Sequence, residues 1–82
     1  MERDVTQILS AATDSVSLIN GVNDGSWNVE GMEQSEINDM VQRNVEHLEI
    51  ILAYEEVVAD ESDKSSYTDA VSTGNAYIEA NS

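Results

Sequence analysis

The chain of 82 residues contains no cysteine, no proline and no phenylalanine, and Lys and Arg together number three. Each shortage removes a class of protein. Without Cys there is neither a disulfide framework nor a thiolate metal centre. Three cations cannot neutralise a phosphate backbone, so direct nucleic-acid binding is excluded by the scarcity of the residues that supply its attraction. No apolar run approaches the roughly 18 residues that a membrane span requires. The opening residues, MERDVTQ, lack the basic-then-apolar order of a secretory signal. Together these absences point to a cytoplasmic protein with no membrane association.

What is present is acid and a moderate share of apolar residues. Seventeen Asp and Glu give a formal net charge of -14, while hydrophobic content is 40%. That content is near the globular norm and argues against wholesale disorder. At 9.0 kDa the surface-scaling rule leaves about 63% of the chain's surface buried on folding, enough for one small domain. A core of this size supplies only about 3–5 kcal/mol. With no disulfide to assist, size alone leaves oligomerisation open as a source of further stability.

Three amphipathic segments are separated by two turn-like stretches, giving a single domain over residues 1–82. The first covers about 4–20. Asp4 and Gln7 stand at capping-box spacing, and Val5, Ile8, Leu9, Ala12, Val16 and Ile19 follow on one helical stripe. Gly21 is placed as the left-handed residue that ends the helix. A loop over 21–34 follows, with an Asp24-Gly25 turn signal and Trp27 near its middle. The second helix is expected from Ser35 to about residue 60. The third covers about 66–80, with Ser66 and Asp69 as its capping box and Tyr67, Ala70, Val71, Gly74, Tyr77 and Ile78 on one face. The fold class is therefore all-α, a small antiparallel three-helix arrangement with a long central helix, which oligomerisation could complete.

That central helix carries most of the information. Stepping 100° per residue yields one apolar zone of Val41, Val45, Leu48, Leu52 and Ala59. A second holds Met40, Ile51, Tyr54 and Val58 with His47 among them. Two such zones suit a helix with one neighbour on each face. Ile50 and Val57, with Ala53 beside them, form a third zone that two neighbours leave uncovered, and apolarity all round a helix argues for burial on more sides. Asn44 and Glu55 interrupt the inner seam. A buried Asn can set register, and a buried Glu is costly unless paired or protonated.

The sequence offers little chemistry. Glu46 and Glu49, and Glu36 and Asp39, resemble the paired acidic motifs with which all-α nucleoside-triphosphate pyrophosphohydrolases hold Mg²⁺. Here they point away from the apolar zones, and no second set lies on a partner helix. A di-iron bundle needs several Glu-x-x-His motifs, but His47 is the sole histidine and residue 44 is Asn. Aligning Gly25 with the invariant glycine of a calcium loop puts Val22 and Gly31 where ligands belong. No catalytic, metal or cofactor residues are therefore assigned. Negative charge peaks over residues 35–61, without a run of five acids, so it forms a solvated face.

These observations lead to a non-enzymatic acidic helical protein acting through self-association and protein–protein contacts. The expected surface is Trp27, Ile50, Tyr54 and Val57, and a homodimer is the favoured state. The alternative is an acidic mimic of nucleic acid, one that sequesters a basic nucleic-acid-binding protein.

Overall fold

In the computed structural model, residues 5–54 and 60–82 are described. They form three helices in the order α1 (Val5–Asp24), α2 (Gln34–Leu52) and α3 (Glu61–Ala80), so the protein is an all-α three-helix bundle. A 20-residue helix is about 30 Å long, and the helices account for most of the molecule's 37 Å long dimension.

Cross-helix contacts give the topology. Ser15 of α1 bonds to Asn44 of α2. Gln34 at the start of α2 reaches Tyr77 near the end of α3, and Asn38 reaches the Asn81 carbonyl. Gly74 of α3 lies against Ile19 of α1 as well as Val41 and Val45 of α2. The chain therefore runs up, down and up, with α1 and α3 parallel and each antiparallel to α2. All three pairs of helices touch. This corrects the expectation of a central helix flanked on two separate faces: the bundle is triangular, and α2 buries one broad stripe rather than two zones. That stripe is Ile37, Val41, Val45, Leu48 and Ile51. It meets Ala12, Ile19 and Val22 from α1, and Tyr67, Ala70 and Gly74 from α3.

Helix ends differ from the sequence expectation for identifiable reasons. Gly21 does not stop α1. The left-handed glycine is Gly25, at φ 85°, so α1 continues one turn further, to Asp24. Gly21 instead makes room for Trp27: a Cβ on Gly21 would lie 3.2 Å from the Trp27 Cβ and 3.3 Å from its ring. The Trp27 N–H donates to the Gly21 carbonyl at 3.0 Å. The Asp24 carboxylate accepts from the Ser26 N–H at 2.8 Å, and its bonds to Ser26 hold its pKa below the ordinary value. A second turn follows, with Met32 N–H donating to the Val29 carbonyl and Gly31 supplying the positive φ of 84° at its third position. The 25–33 connection is thus tied down by side-chain and backbone bonds.

The N-cap of α2 is Glu33 rather than Ser35, and its N–H donates to the Glu36 carboxylate at 3.1 Å. At the other end, α2 stops at Leu52 rather than near residue 60. The Ala53 N–H is shared between the Glu49 and Ile50 carbonyls and the Tyr54 N–H turns back to Ile51, the tightening typical of a final turn. Asp60 caps α3, accepting from the Ser62 and Asp63 N–H groups at 2.8 and 3.4 Å, where the expectation placed the start at Ser66. α3 accordingly begins at Glu61, and α2 ends at Leu52. Glu55, Val57, Val58 and Ala59, to which earlier expectations were attached, lie outside the described residues.

Candidate functional site

Ile50 and Tyr54 stand at the C-terminal end of α2. They are 59% and 55% exposed, and with Trp27 at 40% they are the large hydrophobic residues open to solvent among the described ones. Ala53 keeps right-handed backbone angles (φ -71°, ψ -16°), so Tyr54 stays close to the helical face of Ile50. At 100° per residue His47, Ile50 and Tyr54 fall within about 60° of one another. Ile51, the next residue, turns into the core and is 5% exposed.

The four residues singled out from the sequence do not form one patch. Ile50 and Tyr54 are neighbours. Trp27 lies at the opposite end of the bundle, because it packs on Gly21 near the end of α1 and α1 runs antiparallel to α2. It folds back against its own helix, with less than half its surface open. Val57 lies outside the described residues.

Beside this patch the structure assembles a polar group that sequence reasoning missed. Ser15, 3% exposed, is the one buried polar residue among those described. Its Oγ lies 2.8 Å from Asn44 Oδ1 and 3.0 Å from His47 Nδ1. The Asn44 amide nitrogen donates to the Met40 carbonyl at 2.8 Å, one turn back. A carbonyl cannot accept from another oxygen without a hydrogen, so Met40 fixes which way the Asn44 amide faces: nitrogen to Met40, oxygen to Ser15. The Ser15 hydroxyl hydrogen is consequently given to Asn44. A nucleophilic serine needs the reverse, a hydrogen directed at the imidazole base. The signal for this network was present in the sequence: Ser15 sits between Ala12 and Ile19 at core spacing, a polar residue on an apolar stripe.

An open groove on the flank of α2 is lined by Met32, Glu36, Asp39, Met40, Arg43 and Asn44. Glu46 and Glu49 are exposed on the outer surface, as are all the described acids except Asp63. Among the described residues no group of three or more His, Cys, Asp or Glu gathers to hold a metal ion, and no helix is long and apolar enough to cross a membrane.

No family model matches the chain, and neither the curated proteins nor the solved structures contain a match to it.

Proposed function

We propose that this chain is a non-enzymatic helical interaction module of the cytoplasm that pairs with a second copy of itself through the C-terminal end of α2. The observation that carries the reading is the exposure of Ile50 and Tyr54, 59% and 55%, on a molecule whose described exposed residues are otherwise mostly polar or acidic. Apolar surface is worth about 25 cal/mol per Å² when covered, and a small core has a use for that contribution. A charge of -14 per copy opposes the pairing, so association strengthens as salt screens the repulsion, with a Debye length near 8 Å at about 0.15 M.

Sedimentation equilibrium at high micromolar concentration and about 0.2 M salt tests it. The expected result is a species heavier than 9.0 kDa that the Ile50→Ser variant returns to monomer. A wild-type chain that stays monomeric removes the reading.

A second reading, an acidic decoy for a basic nucleic-acid-binding protein, is favoured by one observation: every described Asp and Glu except Asp63 is exposed. Its test is displacement of DNA from a purified basic DNA-binding protein. Displacement that is lost on changing Glu46 and Glu49 together to Gln supports the decoy, and absence of displacement by the wild-type chain overturns it.

A further inference from the structure

The Ser15 network has a consequence for the face that carries Ile50 and Tyr54, and it rests on the self-association reading above. The Met40 carbonyl holds the Asn44 amide nitrogen at 2.8 Å. Asn44 Oδ1 therefore takes the single hydroxyl hydrogen of Ser15, also at 2.8 Å. The Ser15 oxygen then has only lone pairs to offer the imidazole nitrogen 3.0 Å away, so that nitrogen, Nδ1, must carry a hydrogen and donate it. A neutral imidazole has one N–H. With that hydrogen at Nδ1, the lone pair is at Nε2. No described residue bonds to Nε2, and no buried polar side-chain atom among the described residues lacks a partner, so Nε2 lies at the surface. Buried Ser15, with half-buried Met40 and Asn44, thus fixes the character of a solvent-reached atom: neutral His47 presents a hydrogen-bond acceptor at Nε2.

Along the exposed face the order is now acceptor, apolar residue, donor: His47 Nε2, Ile50, and the Tyr54 hydroxyl. Such a face is self-complementary. A two-fold axis across α2 between positions 50 and 51 exchanges positions 47 and 54, each about 5 Å from it along the helix. In an isologous pair the contact made by one residue on its counterpart is made again in reverse. We infer that the partner that fits this face is a second copy of the chain, docked antiparallel about that axis, with the Tyr54 hydroxyl of each copy donating to His47 Nε2 of the other. The two Ile50 side chains meet near the axis and exclude water from both bonds. Arg43 lies on the same face one turn before His47, and the exposed Glu46 and Glu49 flank it on one side.

Two measurements test this, chosen so that its failure and that of the self-association reading are told apart. Nitrogen-15 NMR of the whole protein at about pH 9, above the ordinary histidine range, reads the tautomer directly. The expected result is a protonated-type shift at Nδ1 and a lone-pair shift at Nε2, with that preference lost in Ser15→Ala. The reverse tautomer overturns the inference whatever the oligomeric state. Sedimentation equilibrium then compares the wild type with Tyr54→Phe, which keeps the ring and removes the donor twice per pair. Association is expected to weaken about thirtyfold, the scale of two net hydrogen bonds. If the wild type associates and Ile50→Ser abolishes association while Tyr54→Phe leaves it unchanged, the hydroxyl contact is wrong and the patch stands. If the wild type is monomeric, both fall.

Discussion

Ile50 and Ile51 are adjacent, identical in chemistry and belong to the same helix, yet one is 59% exposed and the other 5%. Between them runs the boundary of the molecule. On one side Ile37, Val41, Val45, Leu48 and Ile51 recur at steps of three and four and are sealed by α1 and α3. On the other, His47, Ile50 and Tyr54 recur in the same way, and Ile50 and Tyr54 stay more than half exposed. A period of 3.6 residues makes each apolar residue's meaning depend on its angle around the axis rather than on its hydrophobicity. The comparison is broken most directly by truncating each isoleucine. Ile51→Ala is expected to cost about 2–5 kcal/mol, enough to remove most of the stability of so small a domain. Ile50→Ala is expected to change it by less than about 0.5 kcal/mol. Urea unfolding at dilute concentration, where association is negligible, checks both, and equal losses would mean that the two faces are not distinct.

The sealed side is sharpest at Gly74. A Cβ built there meets Val45 Cγ2 too closely for van der Waals contact and lies 3.3 Å from Val41 Cγ1. Both valines are 0% exposed, so neither can swing aside into solvent. Overpacking of this kind costs about 1–3 kcal/mol, against about 1 kcal/mol that alanine contributes to a helix relative to glycine. Gly74→Ala is therefore expected to destabilise by about 1 kcal/mol, the difference between those terms. The mechanism has its own signature. Combined with Val45→Ala, the glycine substitution should cost less than the sum of the two, because the second change clears the space that the first fills. Strict additivity would show that α2 and α3 are not in the close contact described.

How far the sequence disclosed all this depends on which kind of signal was involved. Periodicity was readable: the α3 face of Tyr67, Ala70, Val71, Gly74, Tyr77 and Ile78 is buried or half-buried, and the all-α fold followed from three such stripes. Boundaries were less so, because two competing capping residues can each look sufficient. Ser66 and Asp69 satisfy the spacing rule, but Asp60 accepts the actual N-terminal bonds. Gly21 and Gly25 posed the same choice at the end of α1. It was decided by Trp27, whose ring needs the missing Cβ at Gly21. Of the apolar patch, Ile50 stood in the zone that two neighbours leave uncovered and is exposed, whereas Tyr54 stood in a zone expected to pack and is 55% exposed; their distance from Trp27 depends on the antiparallel course of α1 and α2. Of the Ser15 network the sequence showed only a polar residue on the apolar stripe of α1, since Ser15 lies 29 and 32 residues from its partners and only the crossing of α1 over α2 brings them together.

Tyr67 gives the smallest expected effect and tests whether the sealed side excludes water as well as it excludes side chains. The phenol is 3% exposed. Its pKa is raised above the ordinary 10.0, first by burial and then by the negative charge of Asp63, while a hydrogen bond with Thr13 acts the other way. In the folded chain the phenol therefore holds its proton at pH values where the unfolded chain has begun to lose it. Below pH 10.0 both states are protonated and the contribution is present in full. As pH rises from there through the folded-state value, the native state binds more protons than the unfolded state, and stability falls with pH. A denaturation series above pH 10.0 should show this decline, and Tyr67→Phe, which has nothing to ionise, should flatten it. If the two chains lose stability in parallel, the Tyr67 hydroxyl is reached by solvent. The α1–α3 side would then be open like the face of Tyr54, and the contrast between a sealed and an exposed side would hold for α2 alone.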